Sequence, residues 1–219
     1  MRTMKSLLET VAHCKANAFI FDMDGLIFDT ERIFMEILQE IAGKQGYHLT
    51  KEMYVETLGL CGEILEQKMT DFFGKEYPFA ENNRSVSEKM REMAENEGLP
   101  VKPEIVECLK ILKDKQIPCA VASSTKSDTV KEFLGKAGLL PFFSVILGGE
   151  MVSHSKPAPD IFLEAACQLE KAPEETFVLE DSENGIVAAS KAGCGIICIP
   201  DLKMPAKDLL MLADYVVIR

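Results

Sequence analysis

The spacing of apolar residues changes repeatedly along the chain, and each change predicts an element. Phe19-Ile20-Phe21 is an apolar run too short for a helix and reads as a buried strand, ending at Asp22-Met23-Asp24-Gly25. Beyond it the period becomes helical: Ile33, Ile37, Leu38 and Ile41 share one face, with Asp29 or Thr30 as N-cap. Thr50 is placed to cap a short helix, Ile64, Leu65 and Met69 belong to another, and Val86, Met90, Met93 and Ala94 mark a third. No strand is expected between about Thr30 and Asn96, so this stretch reads as a helical insert. Gly98, Pro100 and Pro103 suit its return and the start of a new helix.

From there strands and helices alternate. A helix through Ile105, Leu109 and Leu112 precedes a strand from Pro118 to Ala122, and a helix through Val130, Phe133 and Leu134 precedes a strand from Ser144 to Leu147. Pro159 to Leu169 reads as a helix, Thr176 to Leu179 as a strand and Gly185 to Ala192 as a helix, with further strands at Gly195–Ile199 and Asp214–Ile218. This order predicts an α/β fold, a parallel sheet covered on both faces with ligands at the carboxyl ends of its strands. The core is expected from residues 1–28 and 101–219 and the helical domain from 29–100. At the N-terminus, Met4, Leu7, Leu8 and Val11 read as a short amphipathic helix.

Charge and composition narrow the partners. With 47% hydrophobic residues the chain can bury a sizeable core, and a net charge of −11 argues against nucleic acid or an anionic membrane as main partner. No apolar run is long enough for a membrane span or a signal-peptide core, so a cytoplasmic location is expected, as a monomer. The 7 cysteines form no Cys-x-x-Cys pair and suggest neither a disulfide framework nor a zinc ribbon. Cys194 and Cys198 fit two strand side chains on one face.

The chemistry gathers where apolar strands end in charge. In extended backbone Asp22 and Asp24 leave on the same side, and two carboxylates ~4 Å apart repel by roughly 4 kcal/mol at an effective dielectric of about 20. A cation between or beside them relieves that repulsion, and magnesium, which takes hard oxygen ligands and joins carboxylates to phosphates, fits. A solvated acidic turn, or the acid-x-acid pair of a metal-dependent glycosyltransferase, fits this stretch equally well. A second strand runs into Ser123-Ser124-Thr125-Lys126, where hydroxyls and free N–H groups at a helix start make an anion site, with Ser123 the foremost phosphate ligand. One of Ser124, Thr125, Ser127 or Asp128 is expected to cap that helix. Lys156 sits on a loop stiffened by Pro157 and Pro159, able to neutralise both a phosphate and a carboxylate. Another apolar strand ends in Glu180 and Asp181, and a cation shared with Asp22 explains why acids collect at two strand ends.

Four segments in this order, DMDGLIFDT from Asp22, ASST from Ala122, SKPAPDIF from Ser155 and LEDSENGI from Leu179, resemble the haloacid dehalogenase-like phosphohydrolases, specifically the branch of β-phosphoglucomutase and sugar-phosphate phosphatases. The resemblance implies a Rossmann-like core with a helical cap and the Asp22 strand central, between those delivering Ser123 and Asp181. It implies Asp22 as nucleophile on phosphorus and Asp24 as the acid, then base, that serves leaving group and water. Ser123 and the N–H of Ser124 would hold phosphoryl oxygens and Lys156 would offset charge. Magnesium would be held by Asp22, the backbone carbonyl of Asp24, Asp181 and the phosphate, with Glu180 beside them. The substrate would be a small phosphorylated metabolite, a sugar or nucleoside phosphate. The mutase's cap histidine and arginine have Phe34 and Gly62 as nearest matches here, so hydrolysis is expected, with a phosphosugar mutase as the alternative and a receiver-like phospho-signalling module behind it. Phe34, Leu60 and Met69 read as cap packing, with pocket lining as the other reading.

Overall fold

The structure is a computed structural model that describes residues 2–4, 6–60 and 62–218. The chain forms two compact units, one from the segments up to Asp29 and from Pro100 onward, the other from Thr30–Leu99.

The first unit is built on strands β1 (Arg2–Met4), β2 (Ala18–Phe21), β3 (Cys119–Ala122), β4 (Val145–Leu147), β5 (Thr176–Glu180), β6 (Gly195–Cys198) and β7 (Tyr215–Val217). They form one sheet in the order β1-β7-β6-β5-β2-β3-β4, and every neighbouring pair is parallel. β2 and β3 are buried at every position, which is why they read as unbroken apolar runs. Side chains alternate across β2: Ala18 and Ile20 join the cluster with Ile161, Phe162, Ala165, Ile186 and Ala189 of helices α8 (Asp160–Gln168) and α9 (Glu183–Ala192). Phe19 turns to the other face, stacking near Phe177, which in turn lies 6.0 Å from the Tyr215 ring. From β2 the chain builds β3 and β4 on one side, then crosses to β5, β6 and β7 on the other. The reversal puts a crevice at the carboxyl end of β2, where Asp22 begins.

The N-terminal expectation needs correcting. The helix drawn through Met4 begins only at Leu7: α1 (Leu7–His13) is capped by Ser6, and Arg2–Met4 is a strand paired with β7. Apolar spacing over so few residues does not separate helix from strand, and the open edge of β7 supplies the missing hydrogen bonds. Elsewhere the unit follows the alternation: α6 (Pro103–Asp114) starts with proline at its first position, and α7 (Ser127–Lys136) links β3 to β4. Phe28 and Val101 form an antiparallel bridge, and Asp29 N–H donates to the Pro100 carbonyl at 3.0 Å, so the two chain segments that lead out of this unit leave side by side.

The second unit contains α2 (Thr30–Lys44), α3 (Lys51–Thr57), α4 (Gly62–Phe73) and α5 (Phe79–Asn96). Thr50 caps α3 as expected, accepting from Met53 N–H at 3.2 Å. Tyr47, Phe73 and Tyr77 pack ring on ring, with centroids 4.9 to 5.5 Å apart, and buried Asn82 exchanges two hydrogen bonds with Gln45. Among the described residues no helix is long and apolar enough to cross a membrane.

Candidate active site

Asp22 follows the last residue of β2, its N–H donating to the Leu179 carbonyl of β5 so that the carboxylate is carried at the sheet's end. Lys156 reaches it from the loop before α8, Nζ donating to Asp22 Oδ1 at 2.5 Å, to Glu180 Oε1 at 2.7 Å and to the Ala122 carbonyl at 3.1 Å. The Phe162 ring lies 4.8 Å from the same ammonium. The lysine thus has fixed partners on several sides and little freedom to swing. Burial alone would lower its pKa, but Asp22 and Glu180 outweigh that and hold it well above the ordinary lysine value. Glu180 is fully buried, and its second oxygen accepts from Asp181 N–H, Ser182 N–H and Ser182 Oγ at 2.9 to 3.0 Å. A carboxylate so occupied braces Lys156 and the turn into α9 and has little left for a ligand. Gly185 makes the space: a Cβ there would lie 1.8 Å from the Glu180 carboxyl carbon.

Asp24 faces a different set of groups. Its Oδ2 accepts from Thr125 Oγ1 at 2.9 Å and Ser123 Oγ at 3.3 Å, while Ser123 Oγ accepts from Thr125 N–H at 3.0 Å. Ser123 is buried and Ser124 is exposed. Thr125, expected only as one hydroxyl of that loop and one of four possible caps of α7, is instead a partner of Asp24, a contact that no local pattern signals. The expected side-chain cap of α7 is absent. Lys126 is its N-cap without a side-chain bond, and Glu150, from the loop after β4, accepts from Ser127 N–H at 2.8 Å instead. His154, given no role from sequence, pairs with Asp160 at the surface.

Asp22, Glu180 and Asp181 bring carboxylate oxygens within 4.8 Å of one another. With all three acids ionised, the ammonium of Lys156 would not offset their charge. Burial, then the Glu180 and Asp24 charges, push Asp22 up to about 8 despite Lys156. Asp181 is raised well above the ordinary carboxylate range by burial, then by Glu180, Asp22 and Asp201, with Lys102 opposing. Gly25, at φ +77, lets the chain turn beside them; a Cβ on it would lie 2.4 Å from Asp181 Oδ2. An all-oxygen donor set with excess negative charge when ionised, cradled against bare backbone, fits a hard divalent cation. Burial with two like charges is otherwise a poor place for carboxylates.

The helical unit has its own cavity of about 180 Å³, lined by Phe34, Leu38, Leu60, Leu65, Met69 and Phe79 among others. Phe34, Leu60 and Met69 are therefore wall residues as much as packing. Glu31, also in the lining, accepts from Tyr54 Oη at 2.8 Å. None of the described lining residues is Lys, Arg or His. Lys68, which lies in α4, is held by Glu56 at 2.6 Å.

Residues 19–199 match the family described as haloacid dehalogenase-like hydrolase. The phosphorylated carbohydrates phosphatase of Thermotoga maritima is 32% identical over 184 residues, covering 80% of this chain and 81% of the relative. Fructose-1-phosphate phosphatase YqaB of Escherichia coli is 29% identical over 174 residues, covering 80% of this chain and 91% of the relative. A crystal structure of a Thermotoga maritima protein provisionally named beta-phosphoglucomutase is 31% identical with a TM-score of 0.73, covering 91% of this chain and 93% of that one. The family match spans Asp22, Ser123, Lys156 and Asp181, the relatives named here are phosphatases, and the chain belongs to the haloacid dehalogenase-like hydrolases.

Proposed function

We propose that the protein is a magnesium-dependent phosphatase that hydrolyses a small phosphorylated metabolite, a sugar or nucleoside phosphate, through an aspartyl phosphate on Asp22. The observation that carries this reading is the split in partners at the end of β2: Asp22 is held by a lysine, Asp24 by hydroxyls. Two adjacent carboxylates in different surroundings suit different roles. An Asp22 oxygen attacks phosphorus and the bond from phosphorus to the leaving oxygen breaks, while Asp24 gives that oxygen a proton. Water then attacks the same phosphorus, Asp24 takes its proton, and phosphate departs with Asp22 restored. Ser123 Oγ and the Ser124 N–H hold phosphoryl oxygens, and Lys156 offsets charge in both halves. Asp22, the Asp24 carbonyl and Asp181 would hold magnesium, which supplies positive charge to the transferring group when bound. The relatives' names, a carbohydrate-phosphate phosphatase and a fructose-1-phosphate phosphatase, support the substrate class. Phosphate release from a panel of phosphomonoesters, with magnesium and with chelator, tests the proposal; full activity in chelator contradicts it.

The likeness to a protein provisionally named beta-phosphoglucomutase keeps a mutase as the second reading. A mutase handles two phosphates, and the cavity of the helical unit offers no cation among its described lining residues. Hydrolysis is therefore favoured. Each turnover in ¹⁸O water should release labelled phosphate without a hexose bisphosphate primer. Isomerisation of a hexose phosphate outrunning phosphate release would reverse the preference.

A further inference from the structure

Lys102 and Asp201 form an ion pair that the proposed chemistry does not use. Their side chains are only 7% and 8% exposed, and Lys102 Nζ donates to Asp201 Oδ1 at 2.6 Å. The same ammonium donates to the carbonyl of Gly25, the residue after Asp24. Gly25 in turn lies against Asp181, so closely that a Cβ would come within 2.4 Å of its Oδ2. The Lys102 backbone is fixed as well, its N–H donating to the Ile27 carbonyl at 2.9 Å. One ammonium therefore joins the turn after Asp24 to the chain beyond β6. Such a pair is seldom more stable than well-packed apolar side chains of the same volume, and Asp201 Oδ2 is buried without a hydrogen-bond partner. Stability alone does not account for this arrangement; geometry does.

We propose that Lys102, anchored by Asp201, is a positioning residue for the cation site: it fixes the Gly25 turn that presents the Asp24 carbonyl and against which Asp181 rests. This rests on the reading of Asp22, the Asp24 carbonyl and Asp181 as cation ligands. Charge alone gives the opposite expectation. A nearby ammonium repels a cation, so deleting it for its charge would tighten binding, whereas deleting a positioning group loosens it.

The test is binding of Mn²⁺ alone to the full chain, without substrate, read from the free-ion electron paramagnetic resonance signal. Lys102→Met should weaken binding by roughly 10- to 100-fold, the range for residues that orient ligands, and Lys102→Arg should recover part of the loss. Asp181→Asn should abolish nearly all Mn²⁺ binding. The double variant Lys102→Met/Asp201→Leu leaves no single buried charge and so protects the fold; it should bind as weakly as Lys102→Met. Wild-type or tighter affinity in Lys102→Met overturns the positioning role and leaves the cation site standing. Should that single variant fail to fold, wild-type affinity in the double variant overturns it equally. Wild-type protein that binds no Mn²⁺, or Asp181→Asn that binds normally, overturns the cation site itself and the positioning role with it.

Discussion

At the scale of the residue, the site depends on which partners each carboxylate is given. Asp24 is engaged by the hydroxyls of Ser123 and Thr125, outside the Asp22, Glu180 and Asp181 cluster. Asp24→Asn should accordingly lower kcat by roughly 10² to 10⁴, or about 3 to 5 kcal/mol, while leaving Mn²⁺ affinity nearly unchanged. Loss of metal affinity with normal chemistry at saturating metal would make Asp24 a carboxylate ligand instead. The acids could be read from sequence because charge at the end of an apolar strand is costly and so conspicuous, and Lys156 because Pro157 and Pro159 stiffen its loop. Asp201 obeys the same rule, two residues after Ile199, and the signal that identified Asp181 could have found it. Thr125 and Lys102 carried no such signal, since a threonine in a polar loop and a lysine before a proline are ordinary surface residues until folding buries them.

At the scale of the element, close contacts override local preference. Gly185 lies in the first turn of α9, where alanine is intrinsically better by about 1 kcal/mol. Its missing Cβ is the space occupied by the Glu180 carboxyl. Gly185→Ala should therefore destabilise the protein by about 1 to 3 kcal/mol in urea unfolding and lower kcat, because Glu180 braces Lys156. A gain of about 1 kcal/mol would show that helix propensity wins and the contact relaxes freely. The parts of the fold hidden from sequence are likewise non-local. β1 is a strand because β7 offers an edge, and α7 is capped by Glu150 from the loop after β4. Strands β2 to β7 were legible because each is a short apolar run bounded by turn residues, and Thr50 because its cap lies within its own sequence.

At the scale of the whole molecule, the buried acids should couple stability to pH and to the proposed metal. Asp22 is raised to about 8 from an unfolded value of about 3.9, chiefly by burial. The folded state then holds a proton that the unfolded chain has released, so this contribution to stability is fully present below about pH 3.9 and is lost as pH rises through about 8. In chelator, the thermal midpoint of the wild-type protein should fall between pH 5 and 8 more steeply than that of Asp22→Asn; parallel slopes would contradict the assignment. Saturating magnesium should raise the midpoint most at the high end of this range, where the ion has fewest protons to displace.

Asp22 is the group proposed to receive the phosphoryl. Rapid acid quenching during turnover of a phosphomonoester with magnesium, followed by peptide mapping, tests this directly. The protein should carry an acid-stable, base-labile phosphoryl group on the peptide containing Asp22, at Asp22 itself, and Asp22→Asn should carry none and release no phosphate. Phosphate release at the wild-type rate from Asp22→Asn, or a phosphoryl group mapped to another side chain, would contradict the account.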